Sequence, residues 1–176
     1  MRRRLAYKNV FKEGEFSFFN TEVCMENLGN KKLWYEPKIA VFLSRKAKRE
    51  FVQKVLEWVK ESPSEVCFTG PFHSQAEKCF LHSVLQNGGK AIWLLGKSLP
   101  EYLSREEDRA IDEGRLLIAS FFHRDHFNAA TNRFVNDIAA MHSKAILFGQ
   151  ISYDSFLYPF YQRLLEKRKD DVKLIS

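Results

Sequence analysis

From Lys38 onward the chain alternates short, unbroken apolar runs with longer amphipathic stretches, and that alternation limits its fold more than any other feature. Ile39-Ala40-Val41-Phe42-Leu43 has no polar residue at either parity, as expected of a strand covered on both faces. Apolar Phe51, Val52, Val55, Leu56 and Val59 then recur at three-and-four spacing, a helical pattern that Ser62-Pro63 ends. The cycle repeats as a strand over 66–70 and a helix over 76–86 that stops at Gly88-Gly89. A strand over 90–95 follows, ending at Gly96, and then a helix over 104–112 in which Ser104 and Glu107 have capping-box spacing. Strands over 115–120 and 144–149 flank a helix over 128–142, and a helix over 154–167 leads to a last strand at 172–175. Buried strands alternating with amphipathic helices predict an α/β fold: a Rossmann-like parallel sheet with helices on both faces.

Residues 1–37 have a different texture and are read as a short N-terminal extension. Phe11, Phe16, Phe18, Phe19, Leu33, Trp34 and Tyr35 fall in short stretches broken by Gly14, Asn20, Gly29 and Asn30, which predicts one or two short strands with turns. Residues 38–176 are read as one domain, because no repeat, low-complexity tract or linker interrupts them. The basic start is not followed by an apolar stretch, since Lys8, Lys12, Glu13 and Glu15 interrupt it, so no secretory signal is expected. No uncharged apolar run reaches the roughly 18 residues of a membrane helix, so no membrane partner is expected. Cys24, Cys67 and Cys79 show no CxxC spacing, and free thiols in a reducing, cytoplasmic compartment are the simplest account.

Charge is unevenly placed. Residues 1–60 hold 14 Lys and Arg against 7 Asp and Glu, whereas residues 61–176 hold 14 against 15. The whole formal excess of +6 therefore originates in the first third, which suits a polyanionic partner such as nucleic acid or a phosphate-rich ligand. A solubilising surface is the competing account.

In parallel α/β sheets ligands bind beyond the carboxyl ends of the strands, where helix N-termini present positive potential. After the first strand come Ser44, Arg45 and Lys46, a hydroxyl, a planar fork and an ammonium suited to phosphate, while Lys48 and Arg49 read as a solvated helix face. After the second, Gly70 is a single glycine that would let a ligand approach the backbone. It belongs to no GxGxxG or GxxxxGK[ST] pattern, which disfavours a dinucleotide oxidoreductase and a P-loop enzyme. Lys97 follows the third strand, and Asn132 and Arg133 open the helix after the fourth. His123 and His126 have HxxH spacing but no third ligand in a recognised spacing, so no metal and no cofactor is assigned. Phe121, Phe122 and Phe127 suit either base stacking or core packing. No GxSxG elbow, carboxylate pair or Cys–His pair appears, so binding is expected rather than catalysis.

Taken in order, these strand ends resemble the Rossmann-like domain of the DNA-processing protein A (DprA/Smf) family over residues 38–149. Ser44-Arg45 matches the last two residues of that family's Gly-Ser-Arg, and Thr69-Gly70 is similar to its Ser-Gly turn. Leu85-Gln86-Asn87-Gly88-Gly89-Lys90-Ala91-Ile92-Trp93-Leu94-Leu95-Gly96 is the most similar stretch. Leu99-Pro100-Glu101-Tyr102 resembles Leu-Asp-x-x-Tyr-Pro, one residue shorter and without the proline. Gly114 to Ser120 resembles a strand ending in Ser-Glu with Phe121 in place of the acid, and Thr131-Asn132-Arg133 resembles Arg-Asn-Arg. The family's Gly-x-Ala-x-Gly-Ile-Asp turn is reduced here to Gly70, with Glu77 as its nearest acid. Nothing matches the Pro-Gly-Gly-x-Gly-Thr motif of phosphoribohydrolase relatives.

The resemblance implies a basic cleft that binds single-stranded DNA, lined by Ser44, Arg45, Lys46, Gly70, Lys97, Asn132 and Arg133. Because the chain stops soon after the fifth strand, without the winged-helix tail of longer members, a recombinase partner is not expected. Two alternatives stay open: a sensor holding a small nucleotide ligand in the same cleft, and a nucleotide hydrolase using His73, Glu77 or the His123–His126 loop. Phe156, Leu157, Tyr158, Phe160 and Tyr161 exceed one narrow apolar stripe, which is compatible with a homodimer; packing of that helix on its own sheet is the simpler expectation.

Overall fold

A computed structural model of the chain describes residues 9–11 and 25–176; Phe16, Phe18, Phe19 and Cys24 lie outside the described residues. The elements run β1 (Asn9–Phe11), β2 (Met25–Gly29), a 3-10 helix (Lys31–Tyr35), β3 (Lys38–Leu43), α1 (Arg49–Glu61), β4 (Cys67–Gly70) and α2 (Gln75–Gln86). They continue as β5 (Lys90–Leu95), α3 (Arg105–Asp112), β6 (Leu116–Ser120), α4 (Ala129–Met141), β7 (Ala145–Gly149), α5 (Tyr158–Arg168) and β8 (Val172–Ile175). The described strands form one sheet in the order β1-β2-β6-β5-β4-β3-β7-β8. Strands β3 to β8 are mutually parallel, and β1 and β2 extend the β6 edge in antiparallel register.

Strand alternation divides the core into two layers. Ala40, Phe42, Cys67, Ile92, Leu94, Leu117, Ala119, Ile146 and Phe148 face one side, under α4, α5 and the 3-10 helix. Val41, Leu43, Phe68, Ala91, Leu95, Leu116, Ile118 and Leu147 face the other, under α1, α2 and α3. Both faces of the sheet are therefore dry, which is why its strands read as continuous apolar runs. No described helix is long and apolar enough to cross a membrane.

Two local expectations are corrected. Leu33, Trp34 and Tyr35 do not belong to a strand: they lie in the 3-10 helix, which Asn30 caps by accepting Lys32 N–H at 3.1 Å and which buries Leu33 and Trp34. Helix α5 begins at Tyr158 rather than near Asp154, because Pro159 has no N–H to give and is tolerated only in the first turn. Residues 152–155 instead form a turn, closed by Ser155 N–H on the Ser152 carbonyl at 2.9 Å. Within α5, Phe160 meets Phe42 and Phe148 and Tyr161 meets Phe148, so both pack on their own sheet, whereas Tyr158 meets the ring of Tyr153.

The strand order reverses between β3 and β7, whose neighbours lie on opposite sides, so a crevice opens beyond their carboxyl ends. The two strands close tightly there. A Cβ on Gly149 would stand 2.5 Å from Leu43 Cδ2 and 2.8 Å from Phe51 Cζ, so only glycine fits without repacking.

Candidate functional site

Every candidate residue named from the strand-end rule lies on the carboxyl rim of the parallel strands. Ser44, Arg45 and Lys46 follow β3, Gly70 ends β4, Lys97 follows β5, and Asn132 and Arg133 lie in the first turns of α4. Their surroundings differ. Ser44 is buried and builds the turn: its hydroxyl accepts Lys46 N–H at 3.2 Å, and its own N–H reaches the Gly149 carbonyl at 3.1 Å. Lys46 pairs across the crevice mouth with Asp154, whose carboxyl Lys46 and then Ser152 pull down to about 2. Arg45, Lys97 and Arg133 have no ion-pair partner among the described residues. The close approach that Gly70 permits is to the protein itself, since a Cβ there would stand 2.9 Å from the Val41 carbonyl oxygen and 3.4 Å from the Phe72 ring.

The turn after β4 organises the rim. Phe72 adopts a left-handed φ of 45°, a strained conformation for a non-glycine residue that sets the direction in which His73 leaves the strand. Glu77, fully enclosed in the first turn of α2, holds this turn. Its Oε1 accepts Leu43 N–H at 3.1 Å, and its Oε2 accepts His73 N–H at 2.9 Å and Ser74 N–H at 3.0 Å. Ser74 returns the favour by accepting Glu77 N–H at 3.2 Å, completing a capping box. Burial pushes the Glu77 carboxyl up, while the Ser74, Leu43 and His73 N–H groups pull it back. A carboxylate committed to three backbone donors is a structural clamp, with no oxygen set aside for substrate.

His73 lies beside this clamp with its ring on that of Phe127, centroids 4.5 Å apart. Burial first, and then the positive charges of Arg45, Lys78 and Lys97, push its imidazole down to about 4. It is neutral at physiological pH, and the three cations that depress it come from three different elements. Gly96 completes the arrangement: a Cβ there would lie 3.1 Å from Thr131 Oγ1, 3.3 Å from Phe127 Cβ and 3.4 Å from Asn132 Oδ1. The N-terminus of α4 is thus seated directly on the end of β5, fixed by a capping box between Asn128 and Thr131.

The remaining loop residues divide. Phe121 and Phe122 pack edge-on against Phe134 at 5.4 Å and serve the core, whereas Phe127 keeps 41% of its surface exposed. His123 Nδ1 lies 3.6 Å from Glu26 Oε1, and among the described residues no group of three or more His, Cys, Asp or Glu is placed to hold a metal. Lys78 at the rim is not expected from the sequence pattern, and neither is the backbone-clamping role of Glu77. The spacing Ser74-x-x-Glu77 was the available signal for the clamp.

No protein-family model matches the chain, and no curated protein matches it. Solved structures do. DNA processing protein A from Streptococcus pneumoniae superposes with a TM-score of 0.72 and 21% identity, covering 90% of this chain and 57% of that one. The fold is DprA-like. DNA processing protein A from Helicobacter pylori, described in a single-stranded DNA binding mode, superposes with a TM-score of 0.70 and 16% identity over 96% of this chain and 80% of that one. The chain spans little more than half, 57%, of the pneumococcal DprA. In this DprA-like frame, Ser44-Arg45, Thr69-Gly70 and Thr131-Asn132-Arg133 stand on a single rim although 87 positions separate Arg45 from Asn132 in sequence.

Proposed function

We propose that the chain binds single-stranded DNA along the carboxyl rim of its sheet, in a DNA-processing role and by binding rather than catalysis. The reading is supported by Arg45 and Lys97, which both act on the His73 imidazole, and by Arg133 in the first turns of α4, none ion-paired among the described residues, on the carboxyl rim of a DprA-like fold. Arg45 and Arg133 pair with phosphate oxygens through their guanidinium forks, and Lys97 adds a point charge. Asn132 hydrogen-bonds the bound strand, Ser44 and Gly70 hold the loops that present these groups, and Lys46 joins on exchanging Asp154 for phosphate. Phe127 offers a half-exposed ring for an unpaired base.

Fluorescence anisotropy with labelled single- and double-stranded oligonucleotides tests the reading. The parent should prefer the single strand, and an Arg45→Ala/Arg133→Ala variant should lose at least about tenfold in affinity. Parent-like binding by that variant would remove the rim from the site. A second reading, a free nucleotide held in the same crevice, is supported by the neutral, buried hydrogen-bonding groups beside the cations. Calorimetry separates the two, because a nucleotide site saturates at one ligand per chain with no dependence on oligonucleotide length.

A further inference from the structure

Among the described residues, the buried side-chain atoms His73 Nε2, Asn132 Oδ1 and Asn136 Oδ1 have no hydrogen-bond partner. Folded proteins rarely leave such atoms unmatched, since each forfeits a hydrogen bond it had in water. Asn132 and Asn136 are each 6% exposed and stand four residues apart, on the face of α4 that lies over β4 and β5. Asn132 Oδ1 and Phe127 Cβ both lie within 3.4 Å of the Cβ position of Gly96, and the Phe127 ring rests on His73. Asn132 Oδ1 and the His73 ring thus both neighbour Phe127 at the N-terminus of α4, and Asn136 follows one turn along the same buried helix face.

Their chemistry is specific. Carboxamide oxygens only accept, so phosphate, itself an acceptor, cannot match them. Two neighbouring acceptors call for two N–H bonds presented together by a neutral, flat group. An exocyclic amino group of a nucleobase carries two such bonds; thymine and uracil carry a single ring N–H. The neutral His73 imidazole offers Nε2 to the base edge beside that amine.

We propose that this crevice reads the base as well as the backbone: Asn132 Oδ1 and Asn136 Oδ1 accept from the exocyclic amine of adenine, cytosine or guanine, in preference to thymine. Phe127 swings aside from the His73 ring and stacks on the base that takes its place, and Arg45 and Lys97 hold its phosphates. The inference rests on the nucleic-acid reading above and assigns its base selectivity.

The test compares oligo-dC with oligo-dT of equal length by anisotropy at one salt concentration, so that phosphate contacts are matched. Oligo-dC should bind about tenfold more tightly. Asn132→Ala and Asn136→Ala should abolish that difference without lowering the melting temperature, because each removes an unmatched buried group rather than a satisfied one. Equal affinity of the parent for both oligonucleotides overturns the base reading while leaving DNA binding intact. Loss of both ligands together with a lowered melting temperature in the variants also overturns it, since the two residues would then be structural. If neither oligonucleotide binds, titration with dCMP and dTMP decides: preference for dCMP keeps the base reading and transfers it to a free nucleotide, and binding of neither overturns both.

Discussion

Glu77 and His73 show how one rim sets a saturated hydrogen-bonding clamp beside an imidazole surrounded by cations, at the scale of single residues. Replacing Glu77 by Ala would strip partners from the N–H groups of Leu43, His73 and Ser74 at once. We expect Glu77→Ala to cost about 3 kcal/mol or more in chemical denaturation, with Glu77→Gln milder because one acceptor oxygen remains. A loss under about 1 kcal/mol would mean that solvent satisfies those donors. For His73 the pH dependence has a definite sign. Its folded value is about 4, below the ordinary 6.5, so between these values the unfolded chain takes up a proton that the native state refuses. Stability from this group is complete above pH 6.5, declines as pH falls toward 4 and is flat below. The raised Glu77 carboxyl acts with the opposite sign, losing its contribution as pH rises through its folded value. The difference between parent and His73→Gln denaturation profiles isolates the histidine; a pH-independent difference would show that its imidazole titrates normally.

At the scale of elements, the ends of helices do much of the positioning. Helix α4 brings Asn132 to Gly96 only if it starts where it does, and its start is set by Asn128 Oδ1 accepting Thr131 N–H at 2.9 Å while Thr131 Oγ1 accepts Asn128 N–H at 2.9 Å. Asn128→Ala should cost about 1 kcal/mol in thermal or chemical denaturation. An unchanged midpoint would show that water replaces the cap. The three capping boxes follow a recognisable spacing, and that of Ser104 with Glu107 is read directly from sequence. The Ser74 and Glu77 box has the same spacing, but spacing does not show that Glu77 also crosses to Leu43, a contact made only once β3 and α2 are adjacent. Helix α1 shows the converse: its N-cap Lys48 has no side-chain cap, and the Lys48 N–H is met at 2.6 Å by Gln150 from the loop after β7.

At the scale of the whole molecule, charge and topology meet at one edge. Contact of Arg45, Lys97 and Arg133 with phosphate should give a log–log salt slope for single strands near about −2, shrinking by about 1.4 when both arginines become Ala. A slope near zero in the parent would show that affinity does not come from phosphate. The excess positive charge of residues 1–60 reaches the rim through Arg45 and Lys46, whereas Lys97 and Arg133 come from the nearly neutral remainder. Linear charge asymmetry therefore locates only part of the basic edge.

Order, type and burial of the elements from β3 to β8 follow from the sequence alone, because a strand covered on both faces must be apolar at both parities and a helix on a sheet must be apolar on one stripe. The strand-end positions of Ser44, Arg45, Gly70, Lys97, Asn132 and Arg133 follow from the same periodicity. Tertiary structure alone decided the rest. It paired β2 antiparallel to β6, turned Leu33 and Trp34 into a buried 3-10 helix, tied Lys46 to Asp154, and surrounded His73 with cations from three elements. These outcomes depend on which distant groups become neighbours when the sheet closes, and no local pattern along the chain encodes such a meeting.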